Sequence, residues 1–304
     1  MRMVAERTVE ETEGASRAAE GRALFPRCAN PRCATGWLHL WRSRRAPAFE
    51  GRWVCSPECM GELVASAVRR EMDGGDTAQP SPHRLPMGLM LVEQGRITAG
   101  QLHQALRAQQ RAREETGETA RLGEWLIRSG VLEEPALSHA LSAQWNCPVY
   151  SLVNYGPEEV AAAMPGFLCE ALGALPVRAV GSKLLHVAFS GRIDRSLSYA
   201  LERITGMRVA AGLGRDSEFE GAQALFLKAA APRTRFLEAA SSWVLVRAIT
   251  RLIETEKPVE ARLVRIHDYY WLRIWRRGWT GPGLPECGAV EDLLATVGRG
   301  RNSG

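Results

Sequence analysis

Between Pro86 and Gln144 the apolar positions write one pattern twice, first as PMGLMLVEQGRITAGQLHQALRAQ and then as RLGEWLIRSGVLEEPALSHALSAQ. At one constant offset Gly88 falls on Gly123, Leu91 on Leu126, Val92 on Ile127, Gly95 on Gly130, Ile97 on Leu132, Leu102 on Leu137, Leu106 on Leu141 and Gln109 on Gln144. Each copy predicts a short helix, a stop and a longer helix. A glycine after Gln94 and after Ser129 suits the left-handed position that ends a helix, where a Cβ would be strained. Thr98 can cap the second helix of the first copy. In the second copy Glu133, Glu134 and Pro135 place acids and a proline where a helix start favours them. Leu102, Ala105, Leu106 and Gln109, like Leu137, Ala140, Leu141 and Gln144, keep the spacing of one helical face, so each helix pair is expected to pack against its twin.

Downstream the period changes. CPVYSL suggests a short strand, and PEEVAAAM and PGFLCEALG read as two short helices, each begun by proline. ALPVRAV and LLHVAFS around GSK read as a hairpin, DRSLSYALERITG as a helix and MRVAAGL as a strand. DSEFEGAQALFLKAA reads as a helix capped by Asp216 or Ser217. After a polar joint near Pro232, SSWVLVRAITRLIETEKP is amphipathic, with Val244, Ile249 and Ile253 as its inward face. EARLVRIHDYYWLRIWRRGW then alternates as strands do, turning near Asp268. Trp271, Arg273 and Trp275 lie on one side and Leu272 and Ile274 on the other. The end, 281–304, reads as a short helix over VEDLLATV and a loose tail.

Upstream of the repeat the apolar pattern is sparse, and cysteines take over. Residues 1–22 read as disordered. Cys28 and Cys33 lie in RCANPRCATGW, and Cys55 and Cys59 in WVCSPECMGELVASAVRREM, which is the paired spacing of metal ligands. Between the pairs the chain reads as two short strands around a basic turn. Ser56 as cap and Pro57 as first residue then open a helix carrying Leu63, Val64 and Val68. Cys59 falls in its first turn, where free N–H groups favour a thiolate. The module, 23–71, resembles treble-clef zinc fingers, with four residues between the first two cysteines in place of the commoner two. Four protein ligands leave no open position, so the zinc would be structural. A chelator is expected to melt 28–70 and leave the rest folded. EMDGGDTAQPSPH, with no periodicity, makes 72–83 a linker.

The fold class that follows is α+β: a small zinc-binding module, a helical tandem-repeat subdomain followed by a small mixed α/β subdomain over 84–230, then a helix plus β-hairpin over 236–280. At 304 residues and 45% hydrophobic the chain can bury such cores. No apolar run reaches the length of a membrane span and the N-terminus lacks the apolar centre of a signal peptide, so no membrane insertion and a cytoplasmic location are expected. The net charge of +5 permits an anionic partner without demanding one. Cys147, Cys169 and Cys287 read as ordinary thiols.

The ordered series from the doubled helix pair through QWNCPVYSL and ALPVRAVGSKLLHVAFS to the closing helix, strand and helix resembles the N-terminal domain of type II secretion and type IV pilus assembly ATPases. Some members of that family bind cyclic di-GMP through the doubled motif, each copy beginning Arg-Leu-Gly and ending in Gln. The resemblance implies a ligand site at Arg121, Leu122, Gly123, Leu126, Gly130 and Gln144, with Gly88 and Gln109 from the first copy. That first copy departs at Pro86, Met87 and Arg96, and QRAREETGETA makes a longer connection than is usual. Arg84 or Arg96 would have to stand in for the missing arginine.

No phosphate-binding Gly-x-x-x-x-Gly-Lys-Ser/Thr loop occurs, the dipeptide Gly-Lys is absent, and no hydrolase spacing stands out, so the chain is not expected to be an enzyme. It is expected to be an adaptor or regulator that docks onto a secretion or pilus component, or another protein, through the repeat or the Trp/Arg hairpin. One alternative is a cyclic di-GMP receptor. A further alternative is a nucleic-acid-binding regulator using Trp41, Arg42, Arg44, Arg45 and the hairpin.

Overall fold

The structure, a computed structural model, describes residues 28–33, 47–74, 85–117, 119–278 and 280–298. The stretch 1–22, the basic turn with Trp41, Arg42, Arg44 and Arg45, most of the linker and Arg84 lie outside the described residues.

Strands β1 (Ala48–Phe49) and β2 (Arg52–Trp53) form a tiny hairpin turning at Glu50 and Gly51, both at positive φ. Helix α1 (Pro57–Asp73) starts as its sequence predicts. The Ser56 side chain accepts from the Cys59 N–H, Pro57 stands in the first turn, and Leu63, Val64 and Val68 are buried.

The repeat forms α2 (Met87–Glu93), α3 (Ala99–Thr116), α4 (Leu122–Arg128) and α5 (Glu134–Trp145). Gly95 and Gly130 carry φ of 65° and 67°, conformations that a Cβ would strain. Thr98 and Gln101 complete a reciprocal capping box at the start of α3. The copies exchange partners, α2 packing on α5 and α3 on α4. Their shared core of Leu91, Ile97, Ala105, Leu126, Leu132, Leu137 and Ala140 is drawn almost entirely from matched positions. Leu106 breaks the symmetry. It is 45% exposed, whereas its equivalent Leu141 is packed, because only the second copy abuts the next subdomain.

That subdomain holds β3 (Val149–Tyr150), α6 (Gly166–Leu172), β4 (Ala174–Val180), β5 (Leu184–Ser190), α7 (Arg195–Thr205), β6 (Arg208–Gly214) and α8 (Asp216–Lys228). Its sheet runs β3-β6-β5-β4, with only the β4/β5 hairpin antiparallel. PEEVAAAM is a series of turns and not a helix. Its apolar residues are buried all the same, and the Ala162 carbonyl accepts from a side chain elsewhere. Helix α8 is capped at Arg215, not at Asp216 or Ser217, and the Ser217 N–H donates to the Glu134 carboxylate of the repeat.

The rest of the chain gives β7 (Arg233–Ala239), α9 (Ser242–Glu256), β8 (Glu260–Ile266), β9 (Tyr269–Trp275) and β10 (Val290–Val297). Three expectations change here. The polar joint after Pro232 is a strand. VEDLLATV is also a strand and not a helix, since a short apolar run carries either period and β10 is clamped between β9 and β7. Leu245, in place of the 36% exposed Val244, faces inward with Ile249 and Ile253.

The cysteine module is not a separate domain. The six-stranded sheet runs β2-β1-β8-β9-β10-β7, with β1 parallel to β8 through Ala48↔Glu260 and Phe49↔Ala261. One face of this sheet packs under α1 and α9, with Phe49, Val64, Ile249, Leu263, Leu272 and Leu293 in the same core. The other face offers Val264, Ile266, Trp271, Trp275, Val290 and Leu294 to the core of the four-stranded subdomain. Arg70 donates two hydrogen bonds to Glu50, at 2.7 and 2.5 Å, and Arg203 of α7 reaches Glu71 at 2.6 Å, tying the module to that subdomain as well.

Candidate functional site

Two places gather the residues that the sequence marks. The first is the cysteine cluster. The turn at Asn30 to Cys33, the loop before α1 and its first turn bring Cys28, Cys33, Cys55 and Cys59 together, with all four sulfurs within 4.8 Å of one another. Cys33 and Cys55 are 3.5 Å apart, and Cys55 and Cys59 3.8 Å. None is in a disulfide. Burial pushes the Cys28 thiol up, which disfavours a bare thiolate there. Four soft donors around one point, two of them buried, can hold a metal ion. Asn30, which the sequence reading passed over, adds a supporting contact, its side-chain amide donating to the Cys59 sulfur at 3.2 Å. An amide two residues beyond a knuckle cysteine is the signal that was available.

The second place is the junction of the repeat with the β5–α7 loop. Arg121 precedes α4 and donates to the Ser190 carbonyl at 2.8 Å. Its guanidinium lies against Gly191, where a Cβ would come within 2.1 Å of Nη1 and push the arginine side chain aside. Gly88 and Gly123 are filled from within. A Cβ at Gly88 would meet Leu102 at 2.6 Å and one at Gly123 would meet Leu137 at 2.7 Å, so both glycines serve close helix packing. Leu126 is wholly buried, Leu122 packs against the repeat core and Gly130 supplies the turn. The closing glutamines exchange copies. Gln109 donates to the Ala120 carbonyl at 2.7 Å, beside the start of the second copy, and Gln144 to the Leu85 carbonyl at 2.9 Å, beside the start of the first. Arg96 is exposed on the turn after α2. Burial works to raise the Glu134 carboxyl, but its bonds to Ser217 and the nearby Arg215 together hold it below the usual range.

The Trp/Arg ladder of the hairpin does not reach solvent. Trp271 and Arg273 are wholly buried and Trp275 nearly so, which removes the base-stacking surface expected of them. Arg273 forks onto Asp292 at 2.8 and 2.9 Å and donates to the Ala162 carbonyl at 2.7 Å. The Trp271 indole N–H donates to the same carboxylate at 2.8 Å. The acidic pair Glu291 and Asp292 in the otherwise apolar run VEDLLATV, on the strand next to that of Arg273, was the unread signal that charges satisfy each other inside. Cys169 is likewise structural, burial pushing its thiol up to about 12.

No family model matches the chain, and no curated protein does. Solved structures similar to part of it include that of MshE with cdg, 28% identical, covering 47% of this chain and 99% of that one at a TM-score of 0.38. The N-terminal domain of XpsE, in two crystal forms, is 20% identical, covers 46% and 44% of this chain and 92% and 89% of the other, and gives TM-scores of 0.34 and 0.26. Overlaps this loose fix no side chain, and the geometry above is the chain's own. Among the described residues no helix is long and apolar enough to cross a membrane. Over part of its length, then, the chain is similar to two solved structures, that of MshE with cdg and that of the N-terminal domain of XpsE.

Proposed function

We propose that the chain is a non-enzymatic cytoplasmic adaptor or regulator, a zinc-stabilised scaffold that presents a secretion-ATPase-type N-terminal domain to another protein. A secretion or pilus component is the partner class that the resemblance implies. The observation that carries this reading is the commitment of the marked polar side chains to backbone carbonyls of the chain itself, Arg121 to Ser190, Gln109 to Ala120 and Gln144 to Leu85. The outer faces of the same helices meanwhile leave Leu89 and Leu106 exposed at 52% and 45%. Zinc suits the cysteines on chemical grounds. Zn–S bonds of about 2.3 Å in a tetrahedron put sulfurs about 3.8 Å apart, and two of the pairs lie at 3.5 and 3.8 Å. With four protein ligands the ion would hold the fold and activate no water. Affinity capture from the native host with wild-type chain and with a Leu89→Asp, Leu106→Asp variant tests the reading. A secretion or pilus component held by wild type and lost from the folded variant supports it; its retention by the variant, or no such component at all, rejects it.

The second reading, a cyclic di-GMP receptor, rests on Arg121, Leu122 and Gly123 keeping the second copy intact, with the guanidinium exposed where it donates to the Ser190 carbonyl. An arginine so placed can stack on guanine or fork onto phosphate. Calorimetric titration of the full chain with cyclic di-GMP decides it. Saturable micromolar binding abolished by Arg121→Ala supports the receptor, and no heat at high concentration rejects it.

A further inference from the structure

Helices α1 and α9 bury one face of each in the core beneath them and lie side by side closely enough that a Cβ on Gly61 would sit 3.9 Å from the Thr250 side chain. Outward they form an open groove of about 920 Å³. Its floor is small, made by Gly61, Ala65, Ala248 and Thr250, and its end is closed by Trp243. Trp243 is 62% exposed, with Arg247 stacked over its ring at 4.6 Å. A tryptophan left in water beside a small-residue floor is the composition of an interface anchor and its seat.

The charges choose the occupant. On the α1 wall Glu58 and Glu62 stand one turn apart; on the α9 wall Arg247 and Arg251 do the same, with Glu254 marking the end of the basic stripe. Neither Glu62 nor Arg251 is in an ion pair with a described residue. A partner of one sign would meet a like-charged wall. A second copy of this surface, turned about a two-fold axis, sets each acidic wall against a basic one and does so twice, as an isologous interface requires.

We propose that this face pairs with the same face of a second copy of the chain, α1 of each protomer lying on α9 of the other, with Trp243 as the anchor. The small floor lets the four helices approach closely, and Glu62 of each protomer faces Arg251 of its partner.

Sedimentation velocity on the full chain tests it. At micromolar concentration the expected mass is twice the 33.5 kDa of one chain; the mass of a single chain at about 100 µM would overturn the proposal, since a specific interface holds well below that. Trp243→Ala is expected to weaken the dimer about tenfold or more. A charge exchange then separates pairing from misfolding. Glu62→Arg alone and Arg251→Glu alone each place like charges together twice and are expected to be monomeric. Mixed in equal amounts they restore both contacts and are expected to dimerise. A mixture that stays monomeric, or either variant dimerising as tightly as wild type, refutes the pairing. The recovery on mixing would itself show that both variants are folded.

Discussion

The cysteine module and the doubled helix pair are both short, self-announcing stretches of sequence, and they fold in opposite ways. The helix pair closes on itself, filling its core with Leu91, Leu126, Ile97, Leu132 and their neighbours. The module cannot do this. Its two-residue strands and one helix complete their core only with Leu245, Ile249, Leu263 and Leu272, which arrive some two hundred residues later. A motif that is contiguous in the chain is therefore not thereby a unit of folding. What decides is whether the apolar surface of a stretch can be covered by that stretch alone.

Metal removal tests this difference most severely. Binding by four thiolates is worth on the order of 10 kcal/mol, and β1 pairs directly with β8. A strong chelator is expected to strip hydrogen-exchange protection from β8, β9 and α9 together with 48–73, while α2 to α5 keep theirs. Loss confined to 48–73 would restore the independent module. Next in size, Asp292→Ala leaves Arg273 charged, buried and unpaired and is expected to cost about 3–5 kcal/mol in denaturant unfolding. A cost below about 1 kcal/mol would mean that the sheet does not depend on that seal. Within the repeat, Leu126→Ala is expected to cost about 2–5 kcal/mol and Leu106→Ala about 0.5 kcal/mol or less. Equal costs would contradict the asymmetry between the copies. The smallest effect concerns the docking of the repeat. Glu134 is held below the ordinary glutamate range in the folded chain, so its contribution is present above that range and is lost as pH falls through its folded value. Thermal stability of Glu134→Gln against wild type should therefore differ at neutral pH and converge in acid. A difference that grows on acidification would contradict the bond to Ser217.

Legibility followed locality. Gly95, Gly130, the Thr98 cap, the Ser56 cap and the register of Trp271 against Leu272 depend on a few neighbours and were readable. PEEVAAAM and VEDLLATV were not, because a short apolar run fits either period, and it is the pairing with β7 and β9 that makes the second a strand. At the candidate sites the four cysteines were readable from spacing. The engagement of Arg121 by the Ser190 carbonyl was not, since Gly191, which admits it, is far along the chain.

By itself, then, the sequence determined the doubled helix pair, its turns and caps, the metal-ligand spacing and the lack of a phosphate loop, because each is written in residues within a few turns of one another. Only the tertiary structure decided that the cysteine module belongs to the C-terminal sheet, that the Trp/Arg ladder is sealed inside, and that one copy of the repeat faces solvent while the other is docked. Those outcomes depend on which apolar face finds which, and burial is a property of the assembled surfaces, not of any one segment.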